Sequence, residues 1–464
     1  MMFYSEFVKA FSFEPTACQD RLFHKVDTFL SSDDGDILAV NGYAGTGKTS
    51  AVSAIINALI KLRFNCVLLA PTGRAAKVLS QISGRKASTI HKGIYRQKGI
   101  GENGWGQFSL SPNKSAHALF VVDEASLIGT DLSTQPNFGS GDLLSDLVNY
   151  VRSGNDCRLM LIGDSAQLPP IGMEESPALN PYYMDQFGGV EYETLYSVVR
   201  QAEQSGILFN ATRLRSDLGC GKLALRSDGF PDVVRVNGEG LVDAISSAYA
   251  EFGEDETVVI CRSNKKAIRY NLGIRSMVDF KEEKLLRGDK LMIVRNCYQF
   301  LDENSPMGYI ANGDVARLEK IGGYEDRYGL HFATATLVFS DYDDQRVVAK
   351  VLLDTLESES ASLTSSQQTA LYEGVSADYA HIASKKKRYE QVREDPFYNA
   401  LQLKYAQAIT CHKAQGGQWD CVFVDCPFWE DEMSQDDLKW MYTALTRAKK
   451  MVYLVNFKDS YFED

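Results

Sequence analysis

The residues Asn41 to Thr49, NGYAGTGKT, carry the most specific chemistry in this 464-residue chain. Gly42, Gly45 and Gly47 let a backbone curl until successive N–H groups point at one anion, and a helix starting just after them adds its positive N-terminal end. Lys48 can then reach β- and γ-phosphates, and the Thr49 hydroxyl can ligate Mg²⁺. Thr46 and Ser50 complete the stretch expected to hold a nucleotide. Further along, ALFVVDEAS (Ala118 to Ser126) runs four apolar residues into Asp123 and Glu124. That pattern puts both carboxylates at the carboxyl end of a buried parallel strand, where α/β sheets gather ligand groups. Asp123 would hold Mg²⁺ there, and Glu124 would orient or deprotonate an attacking water. Joined to the phosphate loop, the Asp-Glu pair points to ATP and Mg²⁺ as the bound groups.

The surrounding elements suit that chemistry. DILAV (Asp36 to Val40) has strand length, and SAVSAIINALIKL (Ser50 to Leu62) has apolar residues at helical spacing, so the glycines sit on a strand-to-helix turn. NCVLLAPTGRAAKVLSQI (Asn65 to Ile82) repeats the strand–loop–helix pattern. CRLMLIGD (Cys157 to Asp164) is a third strand, leading into SAQLPPIG with Gln167 placed to sense a γ-phosphate. Gln19 lies one turn inside a helix opened by Pro15 or Thr16, where it is either an adenine reader or a surface glutamine. Arg200, ahead of a helix over about 201–215, is either surface charge or a stabiliser of the transferring phosphoryl group. His91, in ASTIHKGIY, would on its own more often be a satisfied core or surface residue than a ligand contact. Residues 97–115 are rich in Gly, Asn and Ser around Trp105 and Phe108, which predicts a β-hairpin whose aromatics pack on the parent domain or wedge against bases.

A second α/β unit opens with TVVICRSNKKAIRYNLGIR, with Asn264 at the strand–helix junction. From Gly288 four β-rich segments between Gly, Asp and Asn turns predict a small barrel. A polar, helix-prone stretch (357–402) follows, in which KKKR (Lys385 to Arg388) reads as a solvated helix face. Thr410, His412, Lys413 and Gln415 crowd a turn before the apolar run CVFVDC, and the last helix carries Thr443, Thr446 and Arg447.

Composition narrows the class. The length gives a prior of roughly two to four domains. No run approaches the about eighteen apolar residues of a membrane span, and the N-terminal stretch lacks a secretory pattern, so a cytoplasmic protein is expected. Nine scattered cysteines without a C-x-x-C pair indicate neither a disulfide framework nor a zinc ribbon. A net charge of −12 excludes a wholly basic nucleic-acid coat but leaves room for a local basic groove.

The ordered set GYAGTGKT, APTGRAAK, STIHKG, VVDEAS, GDSAQLPP, VVRQ, ITCHKAQGGQWD and YTALTRAK resembles the motifs of superfamily 1B helicases, the RecD-like branch, and within it the Dda group of T-even phages. The resemblance implies an α/β fold of two RecA-like P-loop NTPase lobes. A β-hairpin (about 96–116) would be inserted in the first lobe (1–200). A small SH3-like β-barrel with a helical arm (288–402) would be inserted in the second (201–287 and 403–464). It further implies an ATP-dependent 5′-to-3′ single-stranded DNA translocase and helicase. Alternatives are a motor subunit of a recombination or nuclease complex, or a translocase acting on RNA or displacing proteins from DNA. Carried over by motif, Gln19 would contact adenine, Gln167 would couple the γ-phosphate to DNA, and Arg200 and Arg447 would be arginine fingers. Thr72, His91, Asn264, Thr410, His412 and Lys413 would grip the single-strand backbone without sequence preference. Trp105 and Phe108 would belong to a strand-separating pin. Expected partners are single-stranded DNA, duplex junctions and replication or recombination proteins, with no membrane and a monomeric state.

Overall fold

The computed structural model describes residues 3–32, 34–100, 106–129, 138–199, 205–219, 221–297, 299–301, 305, 307 and 309–463. Its first sheet contains β1 (Ile37–Gly42), β2 (Asn65–Ala70), β3 (Ser88–Thr89), β6 (Ala116–Val122), β7 (Asn155–Gly163) and β8 (Val190–Leu195). They are all parallel, in the order β3-β2-β6-β7-β1-β8. Between β3 and β6 a two-stranded hairpin, β4 (Tyr95–Ile100) with β5 (Gly106–Leu110), leaves the sheet.

Burial on both faces explains why the inner strands β1, β6 and β7 read as apolar runs. Leu119, Val121, Met160 and Ile162 face one core, while Phe120, Val122, Leu159 and Leu161 face the other. The helix Lys48–Lys61 covers the first face with Val52, Ile55 and Leu59.

A second parallel sheet has the order β16-β10-β17-β18-β9, from β9 (Val233–Val236), β10 (Thr257–Cys261), β16 (Ala408–Thr410), β17 (Trp419–Asp425) and β18 (Ala448–Val455). Its alternation is equally strict. Val258, Ile260, Val422 and Val424 point into one core, and Val259, Cys261, Cys421 and Phe423 into the other, the cysteines serving as small apolar residues with free thiols.

Between β10 and β16 the chain forms a closed five-stranded barrel, β11 (Lys290–Ile293), β12 (Val315–Arg327), β13 (Leu330–Phe339), β14 (Gln345–Leu352) and β15 (Leu401–Tyr405). Four of these strands match the β-rich segments read from sequence. The fifth, LQLKY, closes the barrel by pairing with β11 and β14, so the boundary expected at 403 falls inside a barrel strand. Helices Ser365–Asp378 and Lys385–Glu394 pack Leu371, Val375 and Val392 on Leu330, Phe332 and Leu352 outside the barrel, leaving Lys385 to Lys387 exposed. Among the described residues no helix is long and apolar enough to cross a membrane.

The junction between second sheet and barrel is ionic. Arg275, from the helix Asn264–Met277, is paired with Asp289 just before β11, and both are buried. Lys281 Nζ lies 3.0 Å from the same carboxylate, and the Leu286 amide donates to its other oxygen at 2.8 Å. Removing one partner of such a buried set strands the others. Asp289→Ala is therefore expected to cost about 3–5 kcal/mol, measured by urea denaturation; a loss below about 1 kcal/mol would mean the pair is solvated.

Candidate functional site

The carboxyl ends of β1, β6 and β7 lie side by side, which is where the sequence places its phosphate loop, its Asp-Glu pair and Asp164. Gly45 and Gly47 have φ of 73° and 70°, the left-handed region open to glycine. Two glycines also clear space. A Cβ on Gly42 would come within 2.8 Å of Lys48 Cδ, and one on Gly47 within 2.4 Å of Gln19 Nε2. Thr46 is buried and donates its hydroxyl back to Tyr43 O at 2.7 Å, whereas Thr49 and Ser50 are exposed at the mouth.

Gln19 is a brace in this structure, not a surface glutamine. Its Nε2 donates to Thr46 O at 2.9 Å, and its Oε1 accepts from Thr16 N at 2.9 Å in the capping box that opens the helix Ala17–Ser31. To read an adenine edge it would have to exchange these bonds.

Asp123 follows β6 directly and accepts from the Glu124 amide at 2.9 Å. Burial and the neighbouring Glu124 raise its carboxyl above the ordinary range, and Lys48 opposes them. Burial raises Asp164 likewise, again opposed by Lys48. Glu124 has φ 53°, unusual for a residue with a side chain, and its Oε2 is buried without a hydrogen-bond partner among the described residues. Gln167 Oε1 is buried and unpartnered in the same way. Orphaned polar atoms converging beside a lysine and a ring of loop amides fit a site that receives a charged, oxygen-rich ligand with its metal ion.

Lys48, Thr49, Glu124, Asp164 and Gln167 line a cavity of about 520 Å³ together with Thr446 and Arg447 from the second unit. Arg447 is buried, and its guanidinium donates to Thr443 O, Gly417 O and Thr446 Oγ1 at 3.1–3.2 Å. It thus stands at the cavity with its donors engaged by its own unit. Arg200 lies outside the described residues.

A second cavity, about 500 Å³, is lined by Thr72 and His91 from the first unit and His412 and Lys413 from the second, with Asn312 of the barrel connection. Lys413 Nζ donates to Asn312 Oδ1 at 2.6 Å, and burial lowers the pKa of both His91 and Lys413. Thr410 immediately precedes the short helix Cys411–Ala414 that carries His412 and Lys413. Asn264 is elsewhere, its amide donating to Glu359 O at 3.1 Å, and is not among the lining residues.

Of the two aromatics expected on the hairpin, Phe108 stacks its ring on Phe138 at 4.4 Å with the planes 15° apart, the packing on the first unit that was one of its two expected roles. Trp105 lies outside the described residues.

Two family models match the chain: an AAA domain over residues 24–219 and a UvrD-like helicase C-terminal domain over residues 405–455. The ATP-dependent DNA helicase dda of Enterobacteria phage T4 is 23% identical, covering 90% of this chain and 94% of that protein. The ATP-dependent RecD2 DNA helicase of Deinococcus radiodurans is 33% identical over 135 residues, 29% of this chain but 16% of that protein. The chain is thus similar to ATP-dependent DNA helicases over most of its length. In fold it is similar to the Bacteroides Pif1 helicase solved with ADP-AlF3 and single-stranded DNA (TM-score 0.50, 15% identity, 98% of this chain and 95% of that one).

Sequence reasoning missed the side chains that join the units. Arg74, in APTGRAAK, stacks its guanidinium on Trp419 at 4.0 Å, and Tyr442 reaches from the last helix to both the phosphate loop and Asp164. An arginine in the first turn of the helix Gly73–Ser83 and a tyrosine in the last helix carry no local signal of such partners. The brace at Gln19 is testable without ligand. Gln19→Ala leaves Thr46 O buried and unpartnered, with an expected loss of about 1–3 kcal/mol in chemical denaturation; unchanged stability would show that the loop does not depend on it.

Proposed function

We propose that the protein is an ATP-dependent DNA helicase, a motor that translocates 5′ to 3′ on single-stranded DNA and separates duplex. The observation that supports this reading best is that two cavities, one suited to a nucleotide and one to a strand, are each lined from both α/β units. A ligand that draws the units together at one cavity necessarily reshapes the other.

In this reading the two sheets are RecA-like lobes, with a SH3-like barrel and its helical arm inserted in the second. Gly42, Gly45, Thr46, Gly47, Lys48, Thr49 and Ser50 receive the triphosphate, and Gln19 turns to the adenine. Thr49 and Asp123 would hold Mg²⁺, which when bound neutralises phosphate charge. Glu124 orients the attacking water, and Gln167 reports the γ-phosphate to the strand cavity. Arg447 leaves its carbonyl partners to stabilise charge on the transferring group, and Arg200 acts from the other side. Thr72, His91, Thr410, His412 and Lys413 hold phosphate and sugar, a mode indifferent to base sequence. Asn264 joins them once its bond to Glu359 is released. We further place the protein in the cytoplasm of a bacterial or phage-infected cell, acting as a monomer at single-strand–duplex junctions beside replication or recombination proteins.

Two partial duplexes, one with a 5′ tail and one with a 3′ tail, test the reading. ATP-dependent displacement from the 5′ tail alone, abolished by Lys48→Ala with single-strand binding retained, is the expected result. Displacement from neither tail, with DNA-stimulated ATP hydrolysis still present, would point to a motor that needs a partner or strips proteins from DNA. For Arg447→Ala turnover should fall roughly 10³-fold with little change in nucleotide affinity, as read by single-turnover kinetics and equilibrium binding; an unchanged rate would remove the arginine from the mechanism.

A further inference from the structure

The last helix, Gln435–Leu445, belongs to the second unit, yet one of its hydroxyls is buried in the first. Tyr442 is 1% exposed, as is Asp164. The Ala44 amide of the phosphate loop donates to the Tyr442 hydroxyl at 2.8 Å, and that hydroxyl donates to Asp164 Oδ2 at 2.6 Å. Its partners are the phosphate loop on one side and the strand end that leads to Gln167 on the other. The same helix holds that strand end again, since Thr443 Oγ1 accepts from the Leu168 amide at 2.8 Å, while Gln415 Nε2 donates to Leu168 O at 2.7 Å. Arg215 adds a stack over Tyr43 at 4.4 Å.

Packing does not require the hydroxyl. A phenylalanine at 442 would fill the same space but leave the Ala44 N–H and Asp164 Oδ2 without their shared partner. We propose that Tyr442 is a positioning residue for ATP turnover, using one hydroxyl from the second unit to keep the phosphate loop and the Asp164–Leu168 segment in a single register. The inference rests on the ATPase reading above. It assigns Tyr442 no contact with the nucleotide; the residue acts by fixing where Lys48 and Gln167 stand relative to each other, and positional errors on that scale weigh on the transition state more than on binding.

The test is a double-mutant cycle on DNA-stimulated ATP hydrolysis with Tyr442→Phe, Asp164→Asn and the pair, reading kcat and KM for ATP separately. The hydroxyl donates to a buried carboxylate, so each single variant is expected to lose about tenfold in kcat with KM changed less than about twofold, and the pair to be no worse than the poorer single. Losses that multiply would overturn the shared role, as would Tyr442→Phe with wild-type kcat or with a loss confined to KM. Should Tyr442→Phe fail to fold, Asp164→Asn decides alone: wild-type kcat would overturn the positioning role. A wild-type chain that hydrolyses no ATP would overturn the ATPase reading and this proposal with it, whereas an active wild type with an unaffected Tyr442→Phe overturns this proposal alone.

Discussion

Everything at the nucleotide cavity depends on how the second α/β unit grips the segment Asp164–Leu168 of the first. Ala166 and Leu168 are buried in the second unit's apolar core, beside Met441, Ala444 and Leu445. The polar groups carried into that core must find partners or cost stability, and they find them across the boundary in Tyr442, Thr443 and Gln415. The first unit therefore cannot place Gln167 by itself. Its position is decided by a helix more than two hundred residues further along the chain, which is the arrangement a coupled two-unit motor needs.

The cavity stores the opposite kind of feature. Glu124 holds a left-handed backbone, and Glu124 Oε2 and Gln167 Oε1 are buried without partners among the described residues. Such costs persist only where the surrounding structure over-determines them. Here the fixed surroundings are the strand ends of β6 and β7 and the loop braced by Gln19, so the strain is concentrated on atoms aimed at a ligand.

Legibility in the sequence followed how local each feature is. The phosphate loop was readable because three glycines, a lysine and a threonine do their work within nine residues, and the Asp-Glu pair because an apolar run announces its strand end. The alternating cores of both sheets explain why strand reading succeeded. The boundary expected at 403 divides LQLKY because five residues cannot say whether they pair with β11 or with the second sheet. Whether Phe108 packs or wedges was open because sequence does not show Phe138 lying against it, and it does not show the carbonyls that hold the Arg447 guanidinium either. The Gln19 brace was hidden for the same reason, although the Thr16 capping box was a usable signal of its direction. Asn264, tied to Glu359 and away from the strand cavity, shows that a motif match locates a residue in the chain, not its partners.

Nucleotide binding at the first unit is expected to be felt through the second. Peptide-resolved hydrogen exchange with and without a non-hydrolysable ATP analogue tests it most directly. Protection is expected to rise together in three stretches: the phosphate loop at 42–49, the segment 164–168 and the helix 435–445. Protection confined to the phosphate loop, with the other two unchanged, would contradict it.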